Sequence, residues 1–224
     1  MPEKKDSLNS LTKYLVMNNN IYHRYLKLPF TYPKPERFNS GCDQFTILLT
    51  KEEIYKPFQE WVESFGLKIS NVLEGFYTAP NGGRVPLHAD TSTMPGENDV
   101  CKLNFTWGSP DSTTQWYKIK DESKIKKHYL DQADANQKFY DAGIVPEFDI
   151  TYVLFADWDD ADLVHEVVID QPSLLNISQL HSTLNPSPTE HRWTLCFTLL
   201  ENNTPLTFKQ AEDLFKDYII KEKI

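Results

Sequence analysis

From about residue 68 to residue 200 the chain reads as a succession of short β-rich segments, interrupted at about 120–148, while a stretch before it and a stretch after it repeat apolar positions every three to four residues. The first helical pattern runs through Ile54, Phe58, Trp61, Val62 and Phe65. Thr50 and Glu53 form a capping box that predicts its start, and Gly66 predicts its end. A second capping box, Thr207 with Gln210, predicts a C-terminal helix over about 207–222, with a stripe of Phe208, Ala211, Leu214, Phe215, Tyr218 and Ile219. Between the two helices, strands are predicted at 68–77, 85–90, 100–107, 113–119, 151–156, 163–169, 174–181 and 192–200, separated by turns such as Asn81-Gly82-Gly83.

About eight strands flanked by helices predict a mainly β fold, a double-stranded β-helix or jelly roll, with two antiparallel sheets over a shared pocket. Residues 1–40, broken by Asn18-Asn19-Asn20 and spaced by prolines from Pro29 to Pro35, read as an N-terminal arm packed on the core. Residues 41–224 read as one domain. Within it the charged segment 120–148 is too long for a hairpin loop and only weakly helical in pattern. It reads either as a lid or recognition insert or as a solvated surface excursion.

The last strand has two distinct faces. Arg192, Thr194, Cys196 and Thr198 share one, and Trp193, Leu195, Phe197 and Leu199 share the other, so the polar-leaning face is predicted to line the pocket.

Composition narrows the function classes. An apolar fraction of 40% in 224 residues suffices for a sizeable core. A net charge of -9 disfavours nucleic acid and anionic membranes, which need a basic face, and favours a small-molecule or peptide substrate. The start Met1-Pro2-Glu3-Lys4-Lys5-Asp6 lacks the apolar core of a secretory signal, and no apolar run reaches the roughly 18 residues of a membrane span, so a soluble, cytoplasmic chain is expected. Cys42, Cys101 and Cys196 are odd in number and widely separated, which reads as reduced thiols.

The candidate chemistry lies in His88-Ala89-Asp90 and His181. At i and i+2 on a strand, His88 and Asp90 leave the same face, so a metal held by one can be held by the other. His181, at the end of a β-rich run, supplies the second imidazole of a facial triad, the donor set of non-heme Fe(II) oxygenases. Arg192 on the following strand offers a two-pronged donor to a carboxylate, with the Thr194 hydroxyl beside it. Its alternative is an exposed strand start where it pairs with Glu190 or Glu201. Asn104 is a candidate for orienting a co-substrate, whereas Trp116 and Tyr117 read as core packing.

Together, His88-x-Asp90, His181 and Arg192-x-Thr194 resemble the pattern of the Fe(II)- and 2-oxoglutarate-dependent dioxygenases: HxD, a distal His, and Arg-x-Ser/Thr on the final strand. Val85-Pro86-Leu87-His88-Ala89-Asp90, Lys102-Leu103-Asn104-Phe105, Thr113-Thr114-Gln115-Trp116-Tyr117 and His181-Ser182-Thr183-Leu184-Asn185 are similar to the aspartyl/asparaginyl β-hydroxylase-like branch. The similarity spans roughly residues 70 to 200. Asp90 stands where that branch's founding enzymes carry no carboxylate. The resemblance implies Fe(II) on His88, Asp90 and His181, and 2-oxoglutarate with its far carboxylate on Arg192. It further implies hydroxylation of a peptide side chain, amino acid or small metabolite, with release of succinate and CO2. The alternatives are a catalytically inactive jelly-roll binding module and a cupin-like metal dioxygenase without the co-acid.

Other residues read as bland. His165 is a weaker rival to His181 as the distal ligand. His191 faces away from the pocket by alternation, and His23 and His128 fall in the arm and the insert. Asp157 to Asp162 lacks the glycine and closing glutamate of a calcium loop and reads as a solvated acidic turn. Arg84 reads either as a group at the pocket mouth or as a surface residue.

Overall fold

The alternating segments pair edge to edge, and every pairing between the described strands is antiparallel. The computed structural model describes residues 20–38, 46–49, 51–70, 73–90, 100–129 and 152–221. A six-stranded sheet runs in the order His23–Tyr25, Ser173–Asn176, Cys101–Gly108, Arg192–Phe197, Leu73–Thr78 and Thr46–Leu49. A seven-stranded sheet runs Ala161–Val168, Thr113–Ile119, His181–Asn185, His88–Ala89, Tyr152–Phe155 and Lys126–Tyr129, with Gly83–Arg84 also paired to His181–Asn185. A small third sheet joins Thr204–Pro205, Leu199–Glu201 and Lys68–Ile69.

The largest apolar core lies on one face of the six-stranded sheet, under the helices. There Leu103, Phe105, Trp193, Leu195 and Phe197 meet Phe58, Trp61 and Val62 of the helix Lys56–Glu63, and Phe208, Ala211 and Phe215 of the C-terminal helix. Phe58 packs against the rings of Phe30, Tyr32, Trp61, Phe105 and Phe197, at centroid separations from 4.6 to 6.3 Å. Burying one such ring is worth roughly 1.5–3 kcal/mol, so this layer carries much of the folding free energy. The opposite face of the same sheet looks across a pocket at the seven-stranded sheet. Phe76, Asn104, Leu175, Thr194 and Cys196 come from one side, and His88, Thr114, His181 and Thr183 from the other.

The C-terminal capping box is present. The Gln210 N–H donates to the Thr207 hydroxyl at 3.1 Å, and the Thr207 N–H donates to Gln210 Oε1 at 2.9 Å. Four differences from the sequence-based expectation have physical causes. First, the helix spans Phe208–Leu214 rather than about 207–222. Beyond it the chain turns and joins the N-terminal segment, where Ile219 bridges Leu26 and the Ile220 N–H donates to the Tyr25 carbonyl.

Second, the first helix begins at Lys56, with Tyr55 as N-cap and no side-chain cap. Pro57 presets the first turn, while Lys51–Glu53 forms a separate 3-10 turn. The side chain of Thr50 lies outside the described residues. Third, the run 174–181 divides into two strands in different sheets, Ser173–Asn176 and His181–Asn185, and the run 192–200 breaks after Phe197. Fourth, part of the charged segment 120–148 is strand rather than helix, because Lys126–Tyr129 pairs with Tyr152–Phe155. The remainder of that segment, and with it the choice between a lid or recognition insert and a surface excursion, lies outside the described residues. So do Cys42 and residues 1–19 of the predicted arm.

Among the described residues, no helix is long and apolar enough to cross a membrane.

Candidate metal centre

His88, Asp90 and His181 converge, with one potential ligand atom of each lying within 4.8 Å of the others. The pairing of the seven-stranded sheet does this directly, because His88 and His181 are opposite residues on neighbouring strands. Their rings sit 4.5 Å apart. Strand His88–Ala89 is short, and the chain is then held by the Asp90 N–H, which donates to the Ile177 carbonyl at 3.0 Å. That bond turns the Asp90 carboxylate back toward His88, with 3.0 Å between Oδ1 and His88 Nε2.

Each imidazole is also oriented from behind. His88 Nδ1 lies 2.7 Å from the Pro86 carbonyl, and His181 Nδ1 lies 2.9 Å from the Gln179 carbonyl. A carbonyl only accepts, so each Nδ1 donates its hydrogen there; this leaves Nε2 of His181 as a ligand atom, and Nε2 of His88, which faces the Asp90 carboxylate, becomes one once it gives up its own hydrogen.

Electrostatics keeps one imidazole neutral and the carboxylate ionised. Burial, with the neighbouring His88, pushes His181 down to about 4, so its imidazole is neutral and its lone pair available at neutral pH. Burial opposes ionisation of Asp90, yet Lys102 and then His88 outweigh it and hold the carboxyl well below its ordinary range. Burial likewise opposes protonation of His88, and the Asp90 carboxylate reverses the balance, raising its pKa. Lys102 Nζ lies 2.9 Å from Asp90 Oδ2. Sequence reasoning assigned this lysine no role. The signal was its position two residues before Asn104 on one strand, which puts both on the same face.

The pocket between the two sheets encloses ≈ 520 Å³ of space when its open mouth is counted. Asn104 and Thr194 line it together with the two histidines. Arg192 shares the face of Thr194 and Cys196 and is 2% exposed, which excludes an exposed strand start paired with Glu190 or Glu201. It stands behind the pocket wall rather than in it. Its Nε donates to Thr194 Oγ1 at 3.4 Å and its Nη1 to the Ser112 carbonyl at 3.1 Å.

Gly108, directly opposite Arg192, adopts φ of 100°. A Cβ there would lie 1.9 Å from the His191 carbonyl oxygen, so only glycine lets the two strands approach this closely at Arg192. Burial lowers Arg192 to about 10, which still leaves it charged at neutral pH. Among the described residues no carboxylate lies within ion-pair distance of it.

The residues read as bland fall outside this cluster. His165 Nε2 meets His23 Nδ1 at 3.2 Å, and its ring stacks on Tyr22. His23 is buried, on a strand paired to Ser173–Asn176. Exposed His191 contacts the Tyr77 hydroxyl. Trp116 is fully buried, and Tyr117 packs against a small separate core around Leu87 and Leu154. Arg84 is a surface residue, lying 5.0 Å over the exposed Trp158 ring. The acidic turn is solvated, with Asp157 paired to Lys126 and Asp162 to Lys120.

Comparison with known proteins adds little. No family model matches the chain, and no curated protein does. The crystal structure of EvdMO1 is a weak structural match, with 14% identity and a TM-score of 0.36 over 88% of this chain and 44% of that one. This likeness is too loose to define a common fold, and the chain spans under half of that protein's length.

Proposed function

We propose that this chain is an Fe(II)- and 2-oxoglutarate-dependent dioxygenase of jelly-roll architecture that hydroxylates a peptide side chain, an amino acid or a small metabolite. The observation that carries the reading is the convergence of His88, Asp90 and His181, with both imidazoles presenting Nε2, at a pocket that has a buried, charged Arg192 behind its wall. Two nitrogens and one carboxylate oxygen are the donor set of the 2-His-1-carboxylate iron sites. The co-acid also fits. A buried guanidinium without a carboxylate is costly, and a ligand carboxylate supplies the missing charge. Asn104 Oδ1 and Ser112 Oγ are buried polar atoms with no protein partner. A cupin-like site has no use for such an arginine.

In this reading His88, Asp90 and His181 hold the iron, while Arg192 and the Thr194 hydroxyl hold the far carboxylate of 2-oxoglutarate. Asn104 orients the co-acid from the opposite strand. Bound iron would let O2 react with the co-acid and the substrate together, one oxygen atom entering the new C–OH group and the other entering succinate as CO2 is released. The protein contributes alignment and the exclusion of water, through apolar walls at Phe76, Val85, Leu175 and Ile177. The acidic net charge accords with a neutral or basic substrate and with none of the chemistry of nucleic-acid or membrane binding.

The test is anaerobic addition of Fe(II) and 2-oxoglutarate. The expected result is the weak visible charge-transfer band of the chelate, lost in His181→Ala and reduced in Arg192→Ala. Wild-type protein without the band, or a band that survives both substitutions, overturns the assignment and leaves a non-catalytic binding module.

A further inference from the structure

Lys102 belongs to the centre yet has no place in the proposed ligand set. Its ammonium lies 2.9 Å from Asp90 Oδ2, while Oδ1 of the same carboxylate faces His88. This is not a loose surface pair, since the two side chains are only 13% and 19% exposed. The lysine also lies 5.9 Å over the Phe76 ring, itself a pocket wall, so its position is confined on two sides. It comes from the six-stranded sheet and reaches across to a ligand that follows a strand of the seven-stranded one.

Counting charges shows what this does. With both imidazoles neutral, as metal ligation requires, and leaving aside Arg192 behind the wall, the two imidazoles, one carboxylate and one ammonium sum to zero. A divalent ion raises the centre to two positive charges, and a doubly charged acid returns it to zero. Without the ammonium the same steps give one negative charge, then one positive, then one negative. Coulomb repulsion between an ammonium and a dication that share one carboxylate, in a mostly buried site, is worth well over about tenfold in affinity. The attraction between the ammonium and an incoming dianion is of similar size and opposite sign.

Resting on the function proposed above, we infer that Lys102 is a specificity-determining residue: it makes the centre hold a metal ion weakly alone and strongly together with a dianionic acid. Metal and co-acid thereby load as a cooperative pair. The competing role, a lysine that only positions Asp90, predicts the reverse effect on the metal, because losing the contact would loosen a ligand.

The experiment is an anaerobic titration of the full chain with Mn(II), following free Mn(II) by electron paramagnetic resonance, in wild type, Lys102→Met, Lys102→Arg and His181→Ala. A second titration adds 2-oxoglutarate to the Mn(II)-loaded protein. Lys102→Met is expected to bind Mn(II) alone at least about tenfold more tightly than wild type and 2-oxoglutarate at least about tenfold more weakly, with Lys102→Arg close to wild type. A folded Lys102→Met that binds Mn(II) no better than wild type, or keeps its affinity for 2-oxoglutarate, overturns the inference while leaving the metal centre intact. If circular dichroism shows that the methionine variant is unfolded, Lys102→Gln removes the same charge and is judged by the same outcomes. Wild-type protein that binds no Mn(II) with or without 2-oxoglutarate, or binds it as well in His181→Ala, overturns the proposed function and the inference with it.

Discussion

On the six-stranded sheet, Leu103, Phe105, Trp193, Leu195 and Phe197 face an aromatic layer under the helices, while their immediate neighbours Lys102, Asn104, Arg192, Thr194 and Cys196 face the other way. One face consists of rings in contact, with Trp61 Nε1 as its buried polar atom without a partner. The other carries an ammonium, a guanidinium, an amide and a hydroxyl, with the Asn104 side-chain oxygen unpaired among them. The period of two lets a single strand serve both: burial on one side supplies the stability that tolerates costly polar groups on the other.

The strongest challenge to that division is Phe58→Ala, which removes the ring at the centre of the aromatic layer. A loss of about 3–5 kcal/mol is expected in chemical denaturation. Metal affinity should be untouched at temperatures where the variant stays folded, and a variant that keeps its stability but loses metal would show that the two faces are not separable.

The next effect depends on pH. Burial, helped by His165 and Arg24, lowers His23 to about 4 from an ordinary 6.5. A depressed histidine contributes stability that is complete above about pH 6.5 and is lost as the pH falls toward 4, because the unfolded chain takes up the proton first. Wild type should therefore lose up to about 3 kcal/mol more than His23→Asn between pH 7 and pH 4. Parallel denaturation curves for the two proteins would remove His23 as the cause.

The smallest effect isolates the pocket face. Thr194→Val deletes one hydroxyl beside Arg192, and about a tenfold loss of 2-oxoglutarate affinity is expected, with the melting temperature nearly unchanged. A large drop in melting temperature would instead make Thr194 a structural residue.

What the sequence revealed was mostly local. Alternation along 192–197 separated the core face from the pocket face before any pairing was known, because strand direction alone sets it. The i, i+2 spacing of His88 and Asp90 likewise sufficed to place them on one side. What it hid was non-local. Nothing near His23 announces that its strand pairs with Ser173–Asn176, and the apolar stripe through Tyr218 and Ile219 looks helical until Leu26 is seen to compete for it. Lys102 was missed for a different reason. A lysine within an alternating strand ordinarily marks the solvent side, and only a carboxylate arriving from the other sheet changes its meaning.

Because main-chain carbonyls at Pro86 and Gln179 hold Nδ1 of both imidazoles, much of the angle of each ring is written into the path of the backbone. Replacing Gln179 by almost any residue keeps that carbonyl where it is, and the proline ring stiffens the other. Surrounding side chains are therefore free to diverge toward new substrates while the two nitrogen donors stay on target.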